Sequence, residues 1–571
     1  MDDTATREIL DILSKAPPDE EDDERSPTST STSSLRQQAH ELVSHGISIG
    51  TNDTNLDTLP NTLHDLLTRI IKPLFTSTKH PALTSTGRKN LVSSGPALAG
   101  ATRFDDAAAK PWKSAPFTVP LLRYVLTCYA CLPEAQRRAT VEAHFFLLVP
   151  PVLNMIDDSD AAYKAAGCGL VRRLCEVLVS VRSEMLRRTG LADVFVDALR
   201  ANFLLLPPLT PEDESLAVLR ELYPAFLALV DARFVDLGLG TAAPKWQDTV
   251  AAATTATTTA TATAAATTTS DTTVPTLVTT TPATKTGNAA EVRGVVVDTT
   301  TGGGADTRTG GSDAKQPILT TTTTIPSTST PTSTHPQSKP QSSRRIQPAG
   351  QAPDSDQARE YKLRSSLLTA LYRHGISASL SHLSSSASES LGSTTSTLLT
   401  THLLAQIPPV FERLGIACVR HFQTLLPMLR LSLMDPFTLA APPMVLAALD
   451  VLACVVVLGG PRVRDKWYPD ILRGCVGCWC NCVDEIEVEG EGEGEREVEV
   501  EVDDAAKTTT TTNPTVNAKA KKAAQLQPVM ARLKTLVAAL RRVVPPDEWL
   551  DLHTRLLAEE GELADLFDAT D

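Results

Sequence analysis

The chain has 571 residues, with 42% hydrophobic and 4% aromatic residues, and a formal net charge of -14 at pH 7. Few aromatic residues and abundant Thr, Ala and Leu favour helices separated by irregular tracts over a sandwich or a barrel. Two runs carry the negative charge, Asp19 to Glu24 and Asp484 to Asp504, and the remainder of the chain has a net charge of +3. This nearly neutral remainder lacks the basic surface that nucleic acids and anionic membranes require.

Four segments lack the large apolar side chains that offset the entropy of an ordered chain: 17–38, 76–112, 247–357 and 484–524. We therefore predict a disordered acidic and Ser/Thr-rich region, an N-terminal α-solenoid part, a Thr-rich disordered insertion, a C-terminal α-solenoid part, a disordered acidic loop and C-terminal helices. In that order the predicted boundaries are 1–35, 36–246, 247–357, 358–483, 484–524 and 525–571.

The first predicted helical hairpin begins with VEAHFFLLVPPVLNMI, which favours one helix up to Asp157. Residues 157–160 have turn composition, and AAYKAAGCGLVRRLCEVLVSVRSEML predicts the return helix. Asp157 and Asp158 are interpreted as solvated turn residues and not as a catalytic pair. Asp158, Ser159 or Asp160 is expected to cap the return helix. Lys164 is expected to be a solvated surface charge, with a partner contact as the alternative.

The second predicted hairpin combines TGLADVFVDALRANFLLLPP with LTPEDESLAVLRELYPAFLALV. Thr210 is predicted as the N-cap of the second helix and Pro211 as its first residue, followed by acids that favour the positive end of a helix. Apolar residues from Leu216 to Val230 follow at steps of three and four, which indicates one buried stripe. Pro224 is expected to kink or divide this helix.

A third hairpin is predicted from FQTLLPMLRLSLMDPFTLAAPPMVLAALDVLACVV. Pro150 precedes Asp158 by eight residues and Pro427 precedes Asp435 by eight, and an apolar helix follows in each case. This pattern resembles the HEAT repeat. The predicted fold is an all-α, HEAT/armadillo-like α-solenoid with long insertions. The apolar stretch from Pro442 to Gly460 contains Asp450 and falls short of the ~20 residues of a membrane span, so we predict a buried helix.

Two observations concern chemistry and compartment. GCVGCWCNC contains four cysteines, but a helix places Cys475, Cys478 and Cys482 on one face and Cys480 elsewhere, so core packing is favoured over a zinc site. Phosphate-loop, GxSxG and HExxH motifs do not occur. The acidic N-terminal residues predict no secretory signal, and ten cysteines then indicate a reducing compartment.

The order of several motifs resembles the second Tel-two-interacting protein family, of fungal type. The motifs are KPW (110–112), VPPVLNMIDDSDAAYKAAGCGLV, RTGLADVFVDALRANFLLLPPLTPEDESLAVLRELYPAFLALV and, after a long insertion, WYPDILRGCVGCW. The resemblance covers about 110–235 and 360–480. It implies fold-defining or partner-facing roles for a set of matching positions: Trp112, Asp157, Asp158, Lys164, Gly167, Thr210, Pro211, Glu214, Ser215, Tyr223, Pro224 and Trp479.

The resemblance further implies a noncatalytic subunit of the Triple-T co-chaperone complex, without a cofactor, in the cytoplasm and the nucleus. The family's partners are Tel-two and the first Tel-two-interacting protein, and through them phosphatidylinositol-3-kinase-related kinases and the Hsp-ninety machinery. No nucleic acid and no membrane span is expected. Two alternatives remain open at this point: an importin-like or trafficking adaptor solenoid, and a zinc-dependent enzyme built on the cysteines from Cys475 to Cys482.

Overall fold

A computed structural model describes residues 3–15, 39, 59–78, 80–90, 110–237, 354–389, 396–491 and 514–567. Helices account for most of these residues, and within these ranges the only β-type pairing is one isolated bridge between Leu83 and Lys89. The α-helices are α1 (Asp3–Lys15), α2 (Leu59–Asp65), α3 (Lys72–Leu74), α4 (Thr118–Cys128), α5 (Glu134–Ile156), α6 (Ala161–Ser180), α7 (Met185–Thr189), α8 (Leu191–Ala201), α9 (Glu212–Arg233), α10 (Asp354–Ala370), α11 (Ala378–Glu389), α12 (Thr397–Ala405), α13 (Ile407–Leu414), α14 (Phe422–Met434), α15 (Pro442–Arg462), α16 (Tyr468–Glu491), α17 (Pro514–Val543), α18 (Pro546–Glu559) and α19 (Ala564–Phe567).

Shorter helical turns of other types join several of these helices. The π-helical turns are Leu66–Ile71, Leu371–Ser377 and Val463–Trp467. The 3-10 turns are Tyr129–Cys131, Asn202–Leu204, Val235–Leu237, Gly415–His421, Pro436–Ala440 and Gly561–Leu563.

The helices stack side by side along the chain. Helix α5 packs on α6, and α6 and α8 both pack on α9. Further along, α15 packs on α12 and on α17, while α14 packs on α16. A continuous apolar core runs between these neighbours, as expected where helical hairpins stack in a solenoid. The prediction of an all-α solenoid is confirmed. The described residues belong to one unit of the chain, and a second unit, Thr267–Gln351, lies outside them.

Helix α5 contains two prolines in the region on which the preceding loop, residues 80–90, packs. Helix α5 runs through Pro150 and Pro151 without ending. A proline lacks the N–H group that would bond to the carbonyl four residues earlier, here that of Phe146. Gly87 has a positive φ of 75°, and a Cβ added to it would overlap the Phe146 carbonyl oxygen. Only glycine therefore allows the loop 80–90 to approach the helix so closely.

Three segments that were predicted from composition to be irregular contain helices or buried residues. In α1, Ile9 and Leu13 are buried one helical turn apart, although the neighbouring residues are acidic. Leu83 and Trp112 are buried within the segment 76–112. Helix α16 continues to Glu491 and α17 begins at Pro514, so helices enter the segment 484–524 from both sides. The Thr-rich insertion and the acidic run at 19–24 lie outside the described residues, and the domain boundaries remain predictions.

The predicted hairpins differ from the structure in two details. The return helix after Asp160 ends at Ser180, because Arg182 adopts a positive φ of 49° before the separate helix α7. Helix α9 contains Pro224 and remains one helix, so division, one of the two predicted effects of this proline, does not occur, and a kink stays a prediction. Pro427 likewise lies inside the continuous helix α14.

Two helical stretches in the described part of the chain are long and apolar enough to cross a membrane, Glu134–Ile156 and Pro442–Glu487. Of their most apolar windows, 56% and 61% are buried inside the molecule, as in core helices of a solenoid. Asp450, which lies near the centre of the shorter segment from Pro442 to Gly460, accepts a hydrogen bond 2.7 Å long from Arg532 Nε on α17. The prediction that Pro442 to Gly460 forms a buried helix agrees with this packing.

Candidate functional site

The turn between α5 and α6 is built around a buried carboxylate. The Asp158 side chain is fully buried and lies 2.9 Å from Lys110 Nζ and 2.6 Å from Lys113 Nζ. It also accepts a hydrogen bond of 2.9 Å from the Asp160 N–H. The prediction that Asp158 is solvated is therefore wrong. Two lysines from the segment before α4 compensate the cost of burying its charge.

The charged state of Asp158 follows from this surrounding. Burial by itself raises the pKa of the carboxyl, but the hydrogen bonds from Lys113, the Asp160 N–H and Lys110 outweigh burial and hold the pKa below its usual value. The carboxylate is thus ionised and its oxygens are occupied by donors. A group in this state cannot serve as a general base, which requires a pKa near the working pH and access to a substrate.

Trp112 fixes the position of the two lysines. Its indole is buried and stacks on Phe75, with ring centroids 5.3 Å apart, while Tyr163 of α6 contacts it edge-on at 5.0 Å. The Tyr163 hydroxyl donates to the Lys113 carbonyl at 3.3 Å. Because Trp112 lies between Pro111 and Lys113, its packing holds the KPW motif against the turn. The structure therefore places Trp112 and Asp158 in one site.

The neighbouring acids have different partners. Asp157 lies 2.7 Å from His80 Nε2, and its side chain is 43% exposed. The Asp160 carboxylate accepts a hydrogen bond of 2.9 Å from the Ala162 N–H. Among the three predicted candidates, Asp160 is therefore the residue that caps α6.

Lys164 connects this turn to the next one. Its ammonium group donates to the Ile156 carbonyl at 3.2 Å and to Asn202 Oδ1 at 3.0 Å. Burial lowers the pKa of Lys164, and the charges of Asp157 and Asp158 partly oppose this effect. The prediction of a solvated surface charge is wrong, because the side chain spans the gap between the ends of α5 and α8.

Gly167 lies where α6 crosses the end of α5. A Cβ at this position would be 2.7 Å from the Ile156 backbone nitrogen and 3.0 Å from the Met155 carbonyl carbon. Backbone atoms cannot move aside as a flexible side chain can, so the sequence position requires glycine for close helix packing.

We expect Gly167→Ala to lower the free energy of unfolding by about 2 kcal/mol, because the methyl group overlaps the backbone of α5. The matched control is Gly460→Ala, where an added Cβ meets nothing within 4 Å. The control should leave stability unchanged or raise it by up to ~1 kcal/mol through helix propensity. Urea unfolding followed by circular dichroism measures both variants. Equal effects of the two substitutions would contradict this account of Gly167.

The start of α9 differs by one residue from the prediction. Pro211 occupies the N-cap position and the helix begins at Glu212, without a side-chain cap, so Thr210 is not the N-cap. The Pro211 carbonyl accepts from the Ser215 N–H at 2.9 Å, and the buried Ser215 hydroxyl contacts the Thr210 carbonyl at 3.4 Å. Glu214 is exposed on the first turn. Ser215 thus shapes this turn, whereas the Glu214 side chain is accessible.

Tyr223 and Pro224 lie where α9 meets the C-terminal part of the chain. The Tyr223 ring is buried and stacks on Phe203, with centroids 5.6 Å apart, and His402 of α12 lies 6.2 Å from it. Pro224 lines a cleft of about 490 Å³ between α6, α9 and the region of α12 and α13. The same cleft is bordered by Asp231 and Arg413, whose side chains form an ion pair across it.

Trp479 lies far along the chain from the other sites. It is buried on α16, and its Nε1 donates to the Glu562 carbonyl at 3.3 Å, with Lys534 Nζ 5.4 Å above the ring. Trp479 therefore joins α16 to α17 and to the C-terminal helices. The site residues do not form one cluster. Trp112, Asp157, Asp158, Lys164 and Gly167 surround one turn. Thr210 and Pro211 directly precede α9, Glu214, Ser215, Tyr223 and Pro224 lie on it, and Trp479 is separate.

The cysteines of α16 lie on the faces that helical spacing predicted. Cys475, Cys478 and Cys482 are buried, and Cys480 is half-buried. Burial raises the pKa of the Cys475 thiol to about 12, so this sulfur stays protonated and packs as an apolar group. In the part of the chain that the structure describes, there is no group of three or more His, Cys, Asp or Glu side chains that could hold a metal ion.

Three residues of the site were not predicted from the sequence. Lys113 follows the KPW motif directly but carries no signal that it pairs with Asp158. His80 lies in a segment without periodicity, and Asn202 lies in a turn. A buried acid requires compensating donors, so a prediction of burial at Asp158 would have prompted the search for nearby lysines.

Comparison with known proteins adds one finding. A family model described as the Tti2 family matches residues 23–252 and 322–440, more than half of the chain. Neither the curated proteins nor the solved structures include a match to this chain. The matched ranges contain the Asp158 turn and all of α9, and they end before Trp479.

Proposed function

Because the chain belongs to the Tti2 family, a family of noncatalytic subunits involved in the Triple-T co-chaperone complex, we propose that it is a scaffold of that complex. In this role it supports the maturation and stability of phosphatidylinositol-3-kinase-related kinases. It acts together with Tel-two, the first Tel-two-interacting protein and the Hsp-ninety machinery, in the cytoplasm and the nucleus. The proposal includes that the stacked helices of the chain are HEAT repeats.

The observation that carries the proposal is the family match over most of the described solenoid. The Asp158 turn supports a scaffold role. The charged groups of Asp158 and Lys164 bond to other residues of the same chain, and these bonds hold helix ends together. Solenoids present extended ridges and grooves that bind other helical proteins, and a scaffold needs no enclosed substrate pocket.

The test is reconstitution of the full chain with Tel-two and the first Tel-two-interacting protein from the same source, followed by size-exclusion chromatography. We expect a stable assembly of the three proteins. A variant without residues 247–351 should enter the same assembly, because the deletion ends before α10. Elution of the full chain apart from both subunits would contradict the proposal. Binding to basic or Phe-Gly peptides in their place would favour the adaptor alternative.

A cellular measurement tests the finer part of the proposal. Depletion of the chain should lower the steady-state amount of the kinases, and re-expression of the variant without 247–351 should restore it. Unchanged kinase levels after depletion would contradict a role in kinase maturation while leaving membership of the complex intact.

A further inference from the structure

Three leucines at one end of the helices are exposed to solvent. Leu204 and Leu209, on the turn between α8 and α9, are 76% and 88% exposed, and Leu398, on the first turn of α12, is 62% exposed. Single exposed leucines are common on protein surfaces, but neighbouring ones mark sites of interaction.

Hydrogen bonds bring these leucines to the same end of the fold. The Leu206 N–H donates to the Leu204 carbonyl at 3.0 Å and the Leu209 N–H to the Leu206 carbonyl at 3.1 Å, which makes the turn compact. The Ser396 hydroxyl donates to Glu212 Oε1 at 2.5 Å, which joins the start of α12 to the start of α9. We call Leu204, Leu209, Leu398, Asp213 and Glu214 the acidic leucine edge.

The charge around the leucines is predominantly negative. Asp213 and Glu214 are exposed on the first turn of α9. The turn between α5 and α6 is adjacent, because Lys164 joins it to Asn202 through a hydrogen bond. This turn contributes the negative charges of Asp157 and Asp160. On that turn Lys110 and Lys113 are bound to Asp158, and the half-buried Lys164 is bound to the Ile156 carbonyl and to Asn202. The exposed Arg200 at the end of α8 is the cation closest in sequence to Leu204.

This combination of apolar and acidic groups selects one kind of occupant. Helices that dock through apolar anchors at i, i+3 and i+4 are positioned by charges at the rim. A second copy of the chain in a two-fold contact would place Asp213 and Glu214 opposite the same acids, which is repulsive. An anionic membrane surface is disfavoured for the same reason.

We propose that the acidic leucine edge binds a basic amphipathic helix of another subunit of the Triple-T complex. This inference rests on the proposed function and names the surface that performs it. The leucines pack against the apolar face of the partner helix, and Asp213 and Glu214 form ion pairs with its lysines or arginines.

The test uses the double variant Leu209→Ser/Asp213→Lys in the full chain, with Tel-two and the first Tel-two-interacting protein as the probes. Biolayer interferometry measures the affinity of the variant for whichever of the two subunits binds the original chain. This affinity should fall by about tenfold or more, as for loss of a central anchor. The matched control is Leu550→Ser/Asp547→Lys on α18, which removes a leucine that is 65% exposed and reverses an acid on a first helical turn. The control should bind as the original chain does.

A carboxylate-to-lysine zero-length cross-linker provides the second measurement. Asp213 or Glu214 should cross-link to a lysine of the partner, and changing that lysine to glutamate should restore binding to the Asp213→Lys chain. Equal affinity of the edge variant and the original chain, or no cross-link from Asp213 and Glu214, would overturn the inference alone. Failure of the original chain to bind either subunit would overturn the proposed function and this inference with it.

Discussion

Replacing Asp158 with asparagine should lower the free energy of unfolding by about 3 kcal/mol, because it leaves two lysines beside a neutral and buried group. An asparagine amide preserves the shape of the turn, and its oxygen still accepts one hydrogen bond. It cannot balance the charges of Lys110 and Lys113, which lie 2.9 and 2.6 Å from the carboxylate oxygens. Urea unfolding followed by circular dichroism measures the loss.

The adjacent acid provides a matched control for this prediction. Asp157→Asn removes the same charge one residue away, from a side chain that is 43% exposed and paired with His80. Exposed pairs contribute about 1 kcal/mol or less, so this variant should stay close to the original chain. Hydrogen exchange of residues 155–165 should increase in the Asp158 variant only. A larger loss from the Asp157 variant would refute the assignment of the buried charge.

The pH dependence gives an independent check with a defined sign. The pKa of Asp158 is lower in the folded chain than its unfolded value of about 3.9, so its stabilisation is present above that pH and is lost as the pH falls through the folded pKa. The difference in stability between the original chain and the asparagine variant should therefore shrink in acid. Burial lowers the pKa of His144 and His421 to about 4, which destabilises both proteins below about pH 6.5 and cancels in the difference.

The helices could be predicted because their signals are local. Apolar residues spaced three and four apart identified the buried face of α9, and Asp157 to Asp160 marked the turn between α5 and α6. The faces of the α16 cysteines followed from helical spacing in the same way. Each of these features depends on residues within one or two helical turns of each other, the range over which periodicity is informative.

The chemistry of the Asp158 turn could not be predicted in this way. Its lysines lie 45 and 48 residues upstream, in a stretch without helical periodicity. Without them, an acid between two helices is correctly expected to be solvated, since burying an unpaired charge is too costly. The resemblance to a family placed Trp112 and Asp158 among the same matching positions, but it gave no contact between them.

The end of the return helix shows a second limit. Residues 181–184, between Ser180 and α7, include neither proline nor glycine, so composition favoured continuation of the helix into α7. The structure instead has a positive φ at Arg182, and the Ser183 N–H bonds back to the Leu178 carbonyl at 2.9 Å. Buried Ser183 then donates to Glu142 on α5 at 2.8 Å, a tertiary contact that local propensity does not contain.

The ion pair between Asp231 and Arg413 is expected to couple the two solenoid parts that the Thr-rich insertion separates in sequence. Arg413 contacts both carboxylate oxygens, with Nη2 2.8 Å from Oδ2 and Nε 3.2 Å from Oδ1, and Arg364 Nη2 lies 3.8 Å from Oδ1. These side chains are largely buried, so two donors in a fixed geometry stabilise the carboxylate more than an exposed pair would.

We therefore expect a coupling energy of about 2 kcal/mol from the double-mutant cycle of Asp231→Ala and Arg413→Ala, measured by urea unfolding. The control cycle uses Asp193 and Arg233, which pair at 2.5 Å within the N-terminal part, where Asp193 is 54% exposed. Its coupling should be about 1 kcal/mol or less, since solvent screens that carboxylate. If the two cycles give the same coupling, the Asp231 pair does not join the parts more strongly than a surface contact. A larger value for Asp231 shows that residues 182 positions apart stabilise one continuous stack, because the bond that the cycle measures forms only when α9 and α13 are packed together.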